Sequence, residues 1–335
     1  MKLRKFMSFF VVAVMVLGIV LGFTACGKKQ TQSENTVVVY SPNEADINDK
    51  LVNMFQTETG IKVQVITAGT ADLLNRIKAE SGNSLGDVMF GGGAESLQAF
   101  SQYFEAYTTS EDASLPDGMK AKDHVWNGFS ALPMVIMYNK SMVKDADAPK
   151  SWADLTDPKW KGKISFTDPN KSGSAYTQMI TMYEAEGGWD FVQKFINNLD
   201  NKVESSSSNV PKKVSDGEFP IGVTLEESAQ KYVVNGANVG YVYPSDGTSA
   251  VPDGIALIKG AKDPIAAKKF IDFMVGKEAQ SVLPETFQRR SVRSDVASPK
   301  GLTEIKDIKL VAYDFDFAAN QKTQNLQKWN DMYIK

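Results

Sequence analysis

The chain has almost none of the side chains that usually carry catalysis or bind transition metals. Its 335 residues include one cysteine, Cys26, and one histidine, His124. Histidine is the commonest general base and metal ligand near neutral pH, and zinc sites need several cysteine or histidine ligands. The composition therefore excludes histidine clusters, cysteine–histidine dyads and cysteine zinc sites, and we expect no metal site and no cofactor. A lone cysteine forms no intrachain disulfide, so the fold must depend on packing.

Enzyme signatures and an excess of basic charge are also missing. The sequence has no Gly-x-Ser-x-Gly elbow, no Walker phosphate loop and no complete Gly-x-Gly-x-x-Gly. Asp314 and Asp316 leave a glycosidase open, but alternating Asp-Phe-Asp-Phe usually indicates one solvated and one packed face. Without the three basic residues among the first 26, the chain carries 34 basic and 40 acidic residues. This balance gives ordinary solubility and indicates no nucleic-acid partner. These absences count against an enzyme, and an extracellular hydrolase stays an alternative.

The first 26 residues have the order of a secretory signal. Basic residues in Met1-Lys2-Leu3-Arg4-Lys5 precede an apolar run over 6–23, and Thr24-Ala25 lead to Cys26. A cysteine directly after small residues resembles a bacterial lipobox, with Phe23 where leucine is usual. The alternative is an uncleaved membrane helix, since the run nearly reaches spanning length. We predict a lipoprotein signal peptide over 1–26, lipidation of Cys26 and a flexible tether over 27–35, which would hold the protein outside the cytoplasm at the membrane, or in a periplasm.

The next hundred residues predict a parallel α/β sheet. The β-branched run Thr36-Val37-Val38-Val39-Tyr40 is typical of a strand buried on both faces. Strand and helix patterns then alternate as far as Asp87-Val88-Met89-Phe90 and its closing glycines, which is the rhythm of βαβ units. A second unit follows, in which the apolar strand 132–138 carries the chain across and the strand 254–258 carries it back.

Five segments resemble a known family, the type II extracytoplasmic solute-binding proteins, in their order and spacing. The segments are Glu58-Thr59-Gly60-Ile61-Lys62-Val63, Ser151-Trp152-Ala153-Asp154-Leu155, Trp160-Lys161-Gly162-Lys163-Ile164, Lys259-Gly260-Ala261-Lys262-Asp263-Pro264, and Lys268-Lys269-Phe270-Ile271-Asp272-Phe273 with Lys277-Glu278-Ala279-Gln280.

The resemblance implies an α/β fold of two lobes joined by two hinge-crossing strands, with the ligand captured by closure of the lobes. We place lobe 1 at 36–131 with 252–300 and lobe 2 at 132–251 with 301–335. The resemblance also implies that the protein is a monomer, and that its partners are the permease and ATPase subunits of an ABC importer.

Within this family, the chain is similar to the branch of ferric-binding and phosphorylated-sugar-binding receptors. Ferric binders typically offer a histidine after the first strand and adjacent tyrosines in the second lobe. Here the first turn reads Tyr40-Ser41-Pro42-Asn43-Glu44, and the second position reads Val223-Thr224-Leu225-Glu226-Glu227-Ser228-Ala229. We therefore expect a small anionic solute, such as a phosphorylated sugar or a phosphonate, and keep ferric iron as the alternative.

Glycines and hydroxyls are the candidate ligand contacts. Gly91 to Gly93 let backbone N–H groups approach a ligand, and Ser172-Gly173-Ser174 stand where a helix should begin, so that free N–H groups face an anion. Each feature also has a purely structural explanation. The glycines can form a loop, a serine before a helix can be its cap, and the serine run can be a flexible surface loop. The predicted ligand-binding residues are Ser41, Asn43, Gly91, Gly92, Gly93, Ser172, Gly173, Ser174, Ser206, Ser207, Glu226 and Glu227.

The roles of two sets of charged residues stay open at this point. Glu226 or Glu227 can accept hydrogen bonds from sugar hydroxyls or from an ammonium group, and we expect only one of them to point inward. The segment Arg289-Arg290-Ser291-Val292-Arg293 offers a bidentate fork for phosphate, or else a cluster of salt bridges on the surface of a lobe.

Overall fold

A computed structural model of the protein describes residues 35–334. The predicted signal peptide, the lipidation site Cys26 and the tether up to residue 34 lie outside the described residues. None of the helices in the described part combines the length and the apolar character that a membrane crossing requires.

Residues 35–334 form eleven strands and eleven α-helices. The strands are β1 (Thr36–Ser41), β2 (Lys62–Thr67), β3 (Val88–Gly93), β4 (Phe104–Glu105), β5 (Asn127–Ala131), β6 (Met134–Asn139), β7 (Ile164–Ser165), β8 (Ile221–Leu225), β9 (Val239–Val242), β10 (Pro252–Ile258) and β11 (Arg290–Ser291). The helices are α1 (Ala45–Thr59), α2 (Thr70–Ala79), α3 (Ala94–Ala99), α4 (Gly173–Ala185), α5 (Trp189–Leu199), α6 (Asn209–Ser215), α7 (Glu226–Val234), α8 (Pro264–Val275), α9 (Lys277–Thr286), α10 (Phe315–Asn320) and α11 (Lys322–Tyr333).

The strands form two sheets, and each sheet has its own apolar core. The first sheet has the order β11-β5-β10-β3-β1-β2, with β4 paired to β10, and the second has the order β7-β8-β6-β9. β1 pairs with β3 in parallel, whereas β10 pairs with β3 in the antiparallel direction. We call the part around the first sheet the first lobe and the part around the second sheet the second lobe. The expected α/β class is confirmed, and the residue boundaries of the lobes stay a prediction.

Two segments join the sheets. The chain passes from β5 to β6 through Leu132 and Pro133, and returns from β9 to β10 through residues 243–251. The segments contact each other, because the Thr248 hydroxyl donates to the Met134 carbonyl at 2.8 Å and the Met134 N–H donates to the Ser249 carbonyl at 3.3 Å. Such paired crossings are where a two-lobed protein bends.

The local patterns explain the elements that carry the cleft. The core-facing spacing of Ile47, Leu51 and Phe55 makes α1 amphipathic, and Gly60 ends it at a φ of 69°. In the first lobe, Phe55 and Phe90 pack edge-to-face on Phe270, with ring centroids 5.1 and 5.7 Å apart. In the second lobe, Phe166 packs in the same way on Phe195 at 5.1 Å.

Two local predictions are wrong. The strand predicted to stop before the glycines runs through them to Gly93. The Asp-Phe-Asp-Phe segment is not an alternating strand but the start of α10, because the Asp314 carboxylate caps that helix by accepting from the Phe317 N–H at 2.8 Å. The carboxylate pair considered for a glycosidase therefore lies at the start of a helix, where Asp314 is the N-cap and Asp316 is in the first turn.

Candidate ligand-binding site

A cavity of about 420 Å³ lies between the two lobes. Its wall comes mainly from the residues that directly follow β1, β2 and β8 and from the stretches that lead into α4 and α6, together with single residues of β3, β10 and the segment between β5 and β6. In α/β proteins ligands bind at the carboxyl ends of strands, where loops lead into helices. The lining residues are Ser41, Pro42, Asn43, Glu44, Thr67, Ala68, Gly69, Thr70, Asp72, Gly92, Leu132, Lys171, Ser172, Ser174, Ser205, Ser206, Ser207, Ser208, Leu225, Glu227, Ser228, Asp253 and Arg289.

Five helices begin at the wall of this cavity. The residues that precede α1, α2, α4, α6 and α7 are Glu44, Gly69, Ser172, Ser208 and Leu225, and all five line the cavity. The first N–H groups of a helix have no partner within the helix, and the helix dipole places partial positive charge there. These helix starts therefore favour a bound anion at the parts of the wall that they form.

Ser172 and Ser174 stand at the start of α4, where the sequence predicts that a helix begins. Ser172 is the N-cap of α4, where its hydroxyl accepts from the Ala175 N–H at 3.3 Å and lies 2.9 Å from the Ser174 hydroxyl. Both serines line the cavity, so capping and exposure to the ligand space are combined in one place. Gly173 between them is buried and does not line the cavity: a Cβ there would lie 3.1 Å from the Thr70 hydroxyl oxygen.

Ser206 and Ser207 also line the cavity, in a run from Ser205 to Ser208 ahead of α6. The Ser206 and Ser208 hydroxyls lie 2.9 Å apart and are exposed to solvent. This run supplies hydroxyl groups to one side of the cavity.

Ser41 and Asn43 form the turn after β1. The Ser41 hydroxyl is fully buried, 2.8 Å from the Phe90 carbonyl and 2.9 Å from the Asn48 side-chain oxygen. The Asn43 amide group donates to the same Phe90 carbonyl at 3.0 Å. Both residues line the cavity, and their hydrogen bonds fix the turn that brings Glu44 and α1 to the wall.

The glycine triplet was predicted to bring backbone N–H groups close to a ligand, but most of it lies against side chains of the protein instead. Gly91 and Gly92 have φ values of +111° and +90°, which favour glycine. A Cβ at Gly91 would lie 2.8 Å from the Asn43 amide nitrogen, and a Cβ at Gly92 would lie 2.8 Å from the Thr70 methyl carbon. A Cβ at Gly93 would meet the Glu95 carboxylate at 2.9 Å. Only Gly92 of the three lines the cavity, and the triplet mainly allows neighbouring side chains to pack closely.

The two adjacent glutamates point to different environments, as expected, and the structure identifies which one faces the cavity. Glu226 is 1% exposed and forms a bidentate ion pair with Arg290, at 2.7 and 2.8 Å, while the Tyr243 hydroxyl donates to it. Its inclusion among the ligand contacts is wrong, because its carboxylate is fully occupied within the protein. Glu227 lines the cavity, and its carboxylate lies 3.3 Å from the Arg289 Nε.

Arg289 is the cavity residue that the sequence left undecided. It is 3% exposed, and its guanidinium donates to the Ser130 hydroxyl at 2.8 Å and to the Asp253 carboxylate at 2.5 Å. Arg290 and Arg293 bond to Glu226 and to acidic neighbours outside the cavity, which is the salt-bridge alternative. One arginine of the cluster therefore reaches the cavity, and the other two stabilise the lobes.

Burial controls the ionisation of the acidic groups here. Burial raises the pKa of Glu227 to about 7, and the nearby Arg289 only partly opposes that rise. Burial also raises the pKa of Asp253, again opposed by Arg289. These two carboxylates share one guanidinium.

Several contacts join the two lobes around the cavity. The Lys231 ammonium on α7 lies 2.7 Å from the Glu44 carboxylate and 2.6 Å from that of Asp46 on α1. The Thr177 hydroxyl on α4 donates to Glu95 on α3, whose pKa burial raises. The two lobes therefore already touch, through partly exposed ion pairs and through a buried hydrogen bond.

The sequence analysis did not identify the start of α2 or Asp253 as parts of the site. It left open whether Arg289 faces the ligand or forms salt bridges on the surface of a lobe. Ala68 to Thr70 follow β2 just as Pro42 to Glu44 follow β1, so the rule that ligands lie beyond the carboxyl ends of strands was the available signal. No comparable local signal marks Asp253, which sits within β10.

Neither a tyrosine nor a histidine is among the described residues that line the cavity. Within residues 35–334, no group of three or more His, Cys, Asp or Glu side chains is arranged to hold a metal ion.

Comparisons with known proteins agree with this architecture. A family model described as "Bacterial extracellular solute-binding protein" matches residues 85–321. Iron uptake protein A1 of Synechocystis sp. is 28% identical over 333 residues, covering 91% of this chain and 91% of that protein. A putative 2-aminoethylphosphonate-binding periplasmic protein of Salmonella typhimurium is 25% identical over 299 residues, covering 82% of this chain and 84% of that protein.

Among solved structures, the periplasmic binding protein AfuA from Actinobacillus pleuropneumoniae, with exogenous fructose-6-phosphate bound, matches with a TM-score of 0.84. The match covers 89% of this chain and 98% of that chain at 24% identity, so the likeness concerns the fold.

Proposed function

Because the chain belongs to the bacterial extracellular solute-binding proteins, we propose that it captures a small solute bearing a phosphate or phosphonate group. The solute binds in the cavity between the lobes, and the closed protein delivers it to the permease and ATPase subunits of an ABC importer. The protein performs no chemistry on the solute. Of the relatives described above, one is named for iron uptake and one for the binding of 2-aminoethylphosphonate.

The convergence of five helix starts on one cavity is the observation that carries this proposal. Phosphoryl oxygens accept hydrogen bonds from unpaired backbone N–H groups and from hydroxyls, and they gain from the helix dipoles. Ser172, Ser174 and the serine run before α6 add hydroxyl donors at the same wall. Such an array holds a phosphoryl group without an excess of basic side chains.

Ferric iron is the competing cargo, since one relative is an iron uptake protein. The carboxylates of Glu44, Asp72, Glu227 and Asp253 on the cavity wall are oxygen ligands that a hard cation accepts. The phenolate ligands that suit Fe(III) are absent from the described lining. We therefore favour the phosphoryl-bearing solute.

The family and the N-terminal sequence both support a location outside the cytoplasm, close to the membrane. An extracytoplasmic solute-binding protein must stay close to its importer, and lipidation of Cys26 with a tether over 27–35 would keep it there. We propose that the lipid-anchored protein acts as a monomer. Mass spectrometry of the purified membrane form tests the anchor, because acylated Cys26 would be the first residue of the mature chain.

Substitution of Ser174 by aspartate tests the site. Ser174→Asp places a negative charge at the start of α4, where the phosphoryl group would bind, so like-charge repulsion should weaken binding of fructose 6-phosphate and 2-aminoethylphosphonate. We expect at least a tenfold higher Kd for whichever of these probes binds the wild type, measured by isothermal titration calorimetry.

The matched control is Asn53→Asp, which adds the same charge on the exposed face of α1 outside the cavity lining. It should leave the Kd within twofold. Equal affinities for the wild type and Ser174→Asp would remove the start of α4 from the site.

A further inference from the structure

The charged groups of the cavity wall are not balanced. Arg289 lies between two carboxylates, 2.5 Å from that of Asp253 and 3.3 Å from that of Glu227, and all three side chains are nearly buried. One guanidinium neutralises one carboxylate, so this group keeps a surplus negative charge when both acids are ionised. Beside it, Lys231 is shared in the same way between the two carboxylates at the start of α1.

Hydrogen-bond donors predominate where α2 and α4 begin, beside one carboxylate, that of Asp72 in the first turn of α2. Here the lobes meet closely, since a Cβ at Gly69 would lie 2.8 Å from the Lys171 carbonyl and a Cβ at Gly173 would lie 3.1 Å from the Thr70 hydroxyl oxygen. The first N–H groups of the two helices, which have no partner within the helix, and the Ser172 and Ser174 hydroxyls supply the donors in this region, and Lys171 lines the cavity beside them. We call Glu227, Asp253 and Arg289 the acidic pole, and the starts of α2 and α4 the amide pole.

A solute with only a phosphoryl group would satisfy the amide pole and leave the acidic pole uncompensated. An unpaired buried charge costs several kcal/mol in general, and a ligand cation beside it removes that cost. A hydroxyl group of a sugar compensates a carboxylate less well than an ammonium group, because hydrogen bonds to charged donors are about twice as strong.

We propose that the solute is a zwitterion, in which a primary ammonium group binds to Glu227 and Asp253 while the phosphoryl group binds at the amide pole. The chemical class is a short aminoalkyl phosphonate or aminoalkyl phosphate. This inference rests on the proposed function, because it assigns an orientation within the same cavity.

The ionisation of Glu227 gives the inference a second readout. Burial raises its pKa to about 7; the neighbouring Glu44 and Asp253 carboxylates contribute to the rise, and Arg289 and Lys231 oppose it. An ammonium group beside the carboxylate would favour its ionised form and lower that pKa. Binding of an aminoalkyl phosphonate near pH 7 should therefore release protons from the protein.

A pair of probes that differ only in the amine tests the inference on the wild-type protein. 2-Aminoethylphosphonate and ethylphosphonate have the same carbon chain and the same phosphonate group. We expect 2-aminoethylphosphonate to bind at least tenfold more tightly at pH 7. Calorimetry in two buffers of different ionisation enthalpy should report proton release for the amine-bearing probe, beyond any release from the phosphonate that ethylphosphonate also shows.

The variant Glu227→Gln removes the negative charge from the acidic pole and keeps the shape of the side chain. It should reduce the preference for 2-aminoethylphosphonate over ethylphosphonate at least fivefold, whereas Glu58→Gln on the exposed face of α1 should not change it. Thermal unfolding of both variants establishes that they are folded.

The outcomes separate the two proposals. Equal affinity of the wild type for the two phosphonates would overturn the zwitterion and leave the phosphoryl-binding function standing. Absence of binding by both phosphonates, fructose 6-phosphate and inorganic phosphate would overturn the proposed function and this inference with it. Tenfold discrimination that Glu227→Gln leaves intact would show that the ammonium binds elsewhere, and would overturn the role given to the acidic pole.

Discussion

Glu226 and Glu227 are neighbours in sequence, and the same substitution at each should change stability in opposite directions. Glu226 is 1% exposed and holds the equally buried Arg290 in a bidentate pair that joins α7 to β11. Glu226→Gln keeps the size of the side chain but removes the charge, so Arg290 is left buried without its anion. Breaking a buried pair by removing one partner costs about 3–5 kcal/mol. Because the amide oxygen still accepts one hydrogen bond, we expect a loss of about 3 kcal/mol.

Glu227→Gln should have the reverse effect above neutral pH. The folded protein raises the pKa of Glu227 from 4.5 to about 7, so the folded state binds this proton more tightly than the unfolded chain. The stability that this protonation contributes is fully present below about pH 4.5 and is lost as the pH rises through about 7. Glutamine resembles the neutral acid at every pH. At pH 8 the variant should therefore be more stable than the wild type by up to about 3 kcal/mol, from about 1.4 kcal/mol per pKa unit.

Thermal unfolding of the two variants and the wild type, without ligand, measures both effects. For a chain of this size about 1 kcal/mol corresponds to roughly 2 °C in Tm. At pH 8 we expect Glu226→Gln to unfold about 6 °C below the wild type and Glu227→Gln to unfold above it. At pH 4, below the pKa of 4.5 in the unfolded chain, the gain from Glu227→Gln should nearly vanish. Equal shifts of the same sign, or a gain that does not depend on pH, would refute the environments assigned to the two carboxylates.

Two further predictions concern the rims of the lobes and the glycine triplet. Lys231→Met removes the ammonium that joins α7 to the start of α1, so we expect a larger radius of gyration in small-angle scattering without ligand. We expect no change for Lys212→Met, whose partner Asp216 directly follows the same helix. An unchanged radius for Lys231→Met would show that these exposed pairs do not hold the lobes together. Gly92→Ala should lower stability by more than Gly82→Ala, because both have a positive φ but only the first would bring a Cβ within 2.8 Å of Thr70. Equal losses of unfolding free energy in denaturant titrations would mean that the contact relaxes without cost.

Local sequence patterns predicted an element correctly where the burial of its residues in the fold matches the pattern. The β-branched run at β1 and the apolar spacing of α1 both predict what is observed, because each is buried in the way its pattern requires. The N-cap at Ser172 was predictable for the same reason, since a serine before a helical stripe has one favoured role.

The roles that could not be predicted from the sequence depend on contacts between residues that are far apart along the chain. Glu226 and Glu227 differ only in whether Arg290 or Arg289 approaches them, and both arginines come from a segment more than sixty residues away. The glycine triplet looks like a ligand loop in sequence, yet its neighbours Asn43, Thr70 and Glu95 explain most of its need for glycine. Local patterns cannot distinguish a glycine that approaches a ligand from one that approaches another side chain.

Isothermal titration calorimetry of the wild-type protein with phosphoryl-bearing probes tests the central claim most directly. We expect at least one of fructose 6-phosphate and 2-aminoethylphosphonate to bind one-to-one with a Kd of about 1 μM or lower, a binding free energy near −8 kcal/mol. Ferric citrate should give no coloured complex. Tight binding of iron with colour, together with no heat from any phosphoryl-bearing probe, would contradict the account.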